Sequence, residues 1–235
     1  MHLNDTHILW FTKFMANNNI NTMKIIKTIA LAAACLLMPV YVDAQVRLTD
    51  EEKETLQVAV KQKLDYFQDQ LGTIASKKTS PENKDRAIKS TLALFIGKGE
   101  PYTTYSGYNN SVEIVNDGVK MQTSSVRSHA TKSQLMKRYL NRLKGMLGYT
   151  DINIESADAV KVGDIHLEPG TNRYNSVASI CQHFVGYRDG YKVYEDYTVK
   201  KVKIYIEPEI LQLPDGEQVL WKIQLGDMVA TETWR

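Results

Sequence analysis

The stretch CQHFVGYRDGYKVYEDYTVKK, residues 181–201, brings together side chains able to do covalent chemistry. Cys181 precedes His183 by two residues, so in a strand both point to one face. Asp189-Gly190, set between alternating runs, signals a two-residue hairpin turn. That turn places Arg188 opposite Tyr191, His183 opposite Asp196 and Cys181 opposite Thr198. Directly opposed side chains stand about 5 Å apart at Cβ, and alternate residues on one strand about 7 Å. A thiol, an imidazole and a carboxylate would then line up as nucleophile, base and orienter. Two features weigh against catalysis. Ile180, Phe184, Val193, Tyr197 and Val199 make the opposite face the more apolar, so the Cys–His–Asp face is expected to look outward. A mid-strand thiol also lacks the helix N-terminus that commonly lowers a catalytic cysteine's pKa. No catalytic residue is assigned.

The same register predicts an inward cluster, with Gln182 opposite Tyr197 and Phe184 opposite Glu195. A carboxylate on an apolar wall has its pKa raised by burial, which would suit Glu195 to act as a general base or a ligand-orienting acceptor. The competing expectation pairs Glu195 with Arg188 at the sheet margin. His166 shares a face with Asp164 beside a turn, and His129 sits in a polar loop. Scattered histidines without clustered carboxylates predict no metal site and no cofactor. The chain has 13 tyrosines. Tyr102, Tyr105 and Tyr108 recur every third residue in a Pro-, Gly- and Asn-containing stretch, 98–111, and suit contact with glycans or proteins. Tyr187, Tyr191 and Tyr194 near the hairpin tip are accounted for by strand propensity.

The elements that must position these residues begin with helices. Thr49 and Glu52 form a capping box, and Leu56, Val60, Leu64, Phe67 and Leu71 make an apolar stripe ending at Gly72. Ser80-Pro81 opens a second helix with the stripe Ala87, Ile88, Thr91, Leu92 and Phe95, stopped by Gly97. Residues 98–111 read as a long loop, and VEIVNDGVKMQT as a hairpin turning at 116–118. A third helix is expected over about 132–147, with Leu135, Tyr139, Leu140, Leu143 and Leu147 inward. Its Lys137, Arg138, Arg142 and Lys144 read as a solvated face. From Tyr149 the period becomes two, with strands expected near 150–160, 162–168, 174–188, 191–206 and 218–231.

The N-terminal region predicts an address. From Met23 the chain reads MKIIKTIALAAACLLMPVYVDAQ: Lys24 and Lys27, an apolar run from Ile29 to Val42, and a Val42-Asp43-Ala44 cleavage motif before Gln45. This is the layout of a secretory signal peptide over residues 23–44. The run falls short of the roughly 18–20 residues a membrane span needs, and Pro39 interrupts it, so no stable span is expected after cleavage. Lipidation at Cys35 is the minority alternative. Residues 1–22 do not fit before a signal, so Met23 is the expected initiator, with a disordered tail as the alternative. The expected localisation is periplasmic or secreted, from a Gram-negative bacterium. What remains, 45–235, suffices for a single domain. A formal net charge of +2 with interspersed signs predicts no nucleic-acid partner.

The order helix, helix, hairpin, helix and then antiparallel strands resembles the nuclear-transport-factor-two-like superfamily, the α+β cone that includes ketosteroid isomerases and scytalone dehydratase. The resemblance covers most of 50–232 and lies in element order; no catalytic Asp or Tyr–Asp set of those enzymes maps onto particular positions here. It implies three helices packed on a curved, mostly antiparallel sheet with a pocket between them. The expected function is an exported, non-catalytic binding or interaction module for a protein, peptide, glycan or small molecule. The alternative is a small isomerase- or dehydratase-like enzyme using a cavity lined by Glu195 and Tyr197.

Overall fold

A computed structural model of the chain describes residues 47–106, 112–127, 130–214 and 216–235. The signal segment and its cleavage junction, Cys35, Tyr108 and His129 lie outside the described residues. Among the described residues the fold is α+β: three α-helices and a large, mostly antiparallel open sheet.

Helix α1 (Asp50–Ala75) starts at the expected capping box. The Thr49 backbone N–H donates to Glu52 Oε2 (2.8 Å), and the Glu52 N–H donates to Thr49 Oγ1 (3.2 Å). Its stripe Val60, Leu64, Phe67, Leu71 and Ile74 is wholly buried. Helix α2 (Pro81–Leu92) is capped by Ser80 and buries Ala87, Ile88, Thr91 and Leu92. The third helix is shorter than its spacing predicts. Residues Thr131–Leu135 form a strand, β4, and α3 covers only Met136–Lys144. The polar residues 131–134 carry no helical stripe to bury, and they complete a ladder with strand β3 (Lys120–Ser124). Leu147, expected inward, is 95% exposed beyond the helix end.

The expected 112–123 hairpin does not form. Val112–Asn116 (β2) pairs with Tyr102–Ser106 (β1) in a separate two-stranded sheet, while β3 pairs with β4. Gly118, at φ 129°, lets the chain leave one sheet for the other in a conformation that side-chain-bearing residues rarely adopt. The large sheet continues with β5 (Asp151–Ser156), the short β6 (Lys161–Val162) and β7 (His166–Leu167), then β8 (Tyr174–Arg188), β9 (Tyr191–Leu213) and β10 (Gly216–Trp234). Its order is β4-β3-β10-β9-β8-β5, with β6 and β7 also on β8. All pairings are antiparallel except the short parallel contact of β3 with β10.

One face of this sheet builds the core. Ala178 and Ile180 of β8, Val202, Ile204 and Ile206 of β9, and Leu225 and Met228 of β10 join the three helices in one apolar cluster. Val177 and Val229, on the opposite face, are about half exposed.

Candidate functional site

The register between β8 and β9 decides which side chains meet. The Asp189-Gly190 turn forms, with Arg188 opposite Tyr191 and Tyr187 opposite Lys192. A β-bulge follows at Val193, and from there Gly186 faces Tyr194, Phe184 faces Asp196, His183 faces Tyr197 and Gln182 faces Thr198. One extra residue transfers every later side chain of β9 to the other face. Gln182 and Phe184 point inward as expected. Glu195 and Tyr197 do not join them: they lie outside, and Asp196, Thr198 and Lys200 take the inner positions.

Outside, the Cys–His–Asp line therefore does not assemble. His183 Nδ1 lies 2.9 Å from Glu155 Oε1 and its Nε2 3.0 Å from Glu195 Oε1. Glu195 also accepts from Lys192 Nζ at 2.7 Å, rather than from Arg188. Partial burial opposes a charged imidazolium, but the two carboxylate hydrogen bonds outweigh it and raise the His183 pKa. Cys181 stands opposite Val199, and burial pushes its thiol pKa up, away from a reactive thiolate.

Inside, a cavity of about 300 Å³ opens between α3, the β3–β4 pair and the inner face of β8 and β9. It begins where the core ends. Along β9 the buried side chains run Ile206, Ile204, Val202 and then Lys200, Thr198, Asp196 and Tyr194; along β8, Ala178 and Ile180 give way to Gln182 and Phe184. The apolar wall comprises Tyr139, Leu143 and Met146 from α3 and its exit, with Tyr149 and Phe184. Tyr149, Phe184 and Tyr194 pack edge to face, with centroids 5.8 and 5.7 Å apart. Gly186 admits this arrangement: a Cβ there would stand 2.4 Å from the Tyr149 ring.

The floor is polar and buried. Lys200, 3% exposed, donates from Nζ to Gln182 Oε1, and among the described residues no carboxylate lies within ion-pair distance of it. Burial lowers its pKa to about 8, although the Asp196 charge pulls the other way. Gln182 is 5% exposed, and among the described residues its Nε2 has no hydrogen-bond partner. Asp196 accepts from the Tyr194 hydroxyl, which also lies 2.9 Å from Ser125 Oγ. Burial raises the Asp196 pKa against the Tyr194 hydrogen bond and the positive Lys200. Arg127, Lys132 and Arg142 stand exposed around the cavity. The Arg127 guanidinium lies over the Tyr194 ring, and Arg142 donates to Gln134 at 3.2 Å. Four cations against the single carboxylate of Asp196 give the lining a positive balance.

The turn-based register thus missed Tyr194, Asp196, Thr198 and Lys200. The alternation Val202, Ile204, Ile206 contained the signal: followed backwards from the core, it assigns even-numbered residues to the inner face. Arg142, assigned above to a solvated helix face, borders the cavity, whereas Lys137 and Lys144 pair with Glu100 and Asp85. Of the tyrosine contact candidates, Tyr102 packs half-buried against the core and Tyr105 lies in β1. Among the described residues no group of three His, Cys, Asp or Glu is placed to hold a metal ion, and no helix is long and apolar enough to cross a membrane.

Comparison of the chain with protein families, with curated proteins and with solved structures finds no match.

Proposed function

We propose that this chain is an exported, non-catalytic binding module of the nuclear-transport-factor-two-like, cone type, holding a small molecule in the cavity between α3 and the inner face of β8 and β9. One observation carries the reading: two buried polar side chains, Gln182 and Lys200, face a cavity of about 300 Å³ with hydrogen-bond donors unspent. Buried donors left unpaired cost about 1–3 kcal/mol each, and a bound ligand that accepts from them removes that cost. The element order, the helices on one sheet face and the pocket beside α3 support the cone resemblance. Thermal melts against a small-metabolite panel test the proposal. A binder at 100 times its Kd adds about 2.7 kcal/mol. At least one member should raise the Tm; a panel with no effect counts against binding.

Export to the periplasm or beyond is part of the same proposal. N-terminal sequencing of the cell-derived protein should begin at Gln45, and a retained Met23 or lipid on Cys35 would contradict it.

A second reading, an isomerase- or dehydratase-like enzyme, draws on the opposed shifts of Lys200 and Asp196, the pattern of paired acid–base groups. Its residues would be Lys200, Asp196 and Tyr194, since Glu195 and Tyr197 lie on the other face. Turnover of a bound panel member, lost in Asp196→Asn, would favour it.

A further inference from the structure

The lining of the cavity narrows the chemistry of what it binds. We infer that the ligand is a small amphipathic carboxylate, its carboxylate clamped between Lys200 Nζ and Gln182 Nε2 on the cavity floor and its apolar body laid against Tyr139, Leu143, Tyr149 and Phe184. This rests on the ligand-binding reading above.

Lys200 lacks a paired negative charge. Lys200 is almost fully buried, makes one hydrogen bond, to a neutral amide oxygen, and has no carboxylate at ion-pair distance among the described residues. A buried ammonium without a counter-charge is unfavourable, and an incoming carboxylate supplies one. Gln182 is oriented by the same contact. Its Oε1 accepts from Lys200, which leaves Nε2 as a buried donor with no acceptor among the described residues. Two donors on adjacent strands, Gln182 of β8 and Lys200 of β9, suit a group with two acceptor oxygens.

The other charged and titratable groups around the cavity agree. Arg127, Lys132 and Arg142 add positive charge, while Tyr139 contributes an apolar ring. Asp196, the one carboxylate, lies four residues nearer the hairpin turn than Lys200 and is committed to the Tyr194 hydroxyl. A neutral ligand would leave Lys200 uncompensated, and a doubly charged phosphate would need more donors than this floor offers.

The probes are 3-phenylpropanoate and 3-phenylpropanamide, which share a shape and differ in charge. Calorimetric titration of the purified protein at about pH 6.5, where Lys200 is protonated, should show the carboxylate binding at least ~10-fold tighter than the amide. At about pH 9.5, above the Lys200 pKa of about 8, that preference should fall several-fold. Lys200→Met keeps the aliphatic stem and should bind both probes with nearly equal affinity. The pH arm uses the parent alone and so does not depend on the variant's folding. Equal binding of amide and carboxylate by the parent overturns the inference and leaves the binding reading standing. A carboxylate preference surviving in Lys200→Met also overturns it, because the rim arginines would then be the source. Failure of both probes to bind the parent defeats the inference and counts against the cavity reading as well.

Discussion

His183 and Tyr197 stack across β8 and β9 with ring centroids 4.3 Å apart and planes 6° from parallel. The contact exists because the bulge at Val193 puts Tyr197, and not Asp196, opposite His183. It holds the imidazole between Glu155 and Glu195, and this geometry has a pH signature. The folded-state pKa of His183 lies above its ordinary value of 6.5. Its stabilising effect is therefore complete below about pH 6.5 and fades as pH rises through the folded-state pKa. Glu155 and Glu195 have lowered pKa values, Glu155 chiefly through its hydrogen bond to His183 and Glu195 chiefly through Lys192 and then His183. Their contribution is present above about pH 4.5 and fades as pH falls. The stability lost in His183→Gln should thus be largest between about pH 5 and 6.5 and should shrink by about pH 9, where only the loss of the ring stack remains. NMR titration should place the His183 pKa above 6.5; a value at or below that would contradict the carboxylate clamp.

The Tyr149 ring lies over Gly186 of β8, and the clearance fails with any side chain. Gly186→Ala should destabilise the fold by about 1–3 kcal/mol through overpacking and displace Tyr149 from the cavity wall. Urea denaturation gives the first effect and Tyr149 ring resonances the second. An unchanged midpoint would show that Tyr149 moves aside without cost.

Lys200 should be a net liability to the folded chain. Its pKa falls from 10.5 to about 8 on folding, so the protonated form opposes folding. The penalty is full below about pH 8 and relieved as pH rises to about 10.5. At 1.36 kcal/mol per pKa unit it is on the order of 3 kcal/mol, offset in part by the Gln182 hydrogen bond. Lys200→Met should be more stable than the parent at about pH 7, with the advantage shrinking toward about pH 10.5. Chemical denaturation at both pH values measures this; a less stable variant at neutral pH would contradict it.

Cys181 should behave as an unactivated thiol. Burial raises its pKa, so its alkylation by iodoacetamide should keep accelerating through about pH 9 without a plateau. A plateau beginning below about pH 6 would reveal a stabilised thiolate.

Helix content, the capping box at Thr49 and the buried stripes of α1 and α2 were legible in the sequence because each depends on neighbours three or four residues away. Gln182 and Phe184 were legible as inward residues for a similar reason: β8 is uninterrupted from Tyr174 to Gly186. Pairing partners were less so. Nothing local in VEIVNDGVKMQT distinguishes a hairpin from two strands that turn to different sheets. The bulge at Val193 has no local mark either: its one sequence sign is the distant alternation Val202, Ile204 and Ile206, and the packing of Tyr149 on Gly186 and of Tyr194 on Phe184 accompanies the shift. That single residue moved Glu195 and Tyr197 out of the expected cluster and brought Asp196 and Lys200 in.

In the proposed function, ligand chemistry belongs to the inner face of this hairpin. The most direct measurement is NMR mapping of the protein titrated with fractions of a small-metabolite extract. An active fraction should shift the Gln182 side-chain amide together with the Thr198 and Lys200 resonances, leaving His183 and Tyr197 unmoved. Shifts confined to His183, Tyr197 and their outer-face neighbours, with the Gln182 amide unchanged, would contradict it.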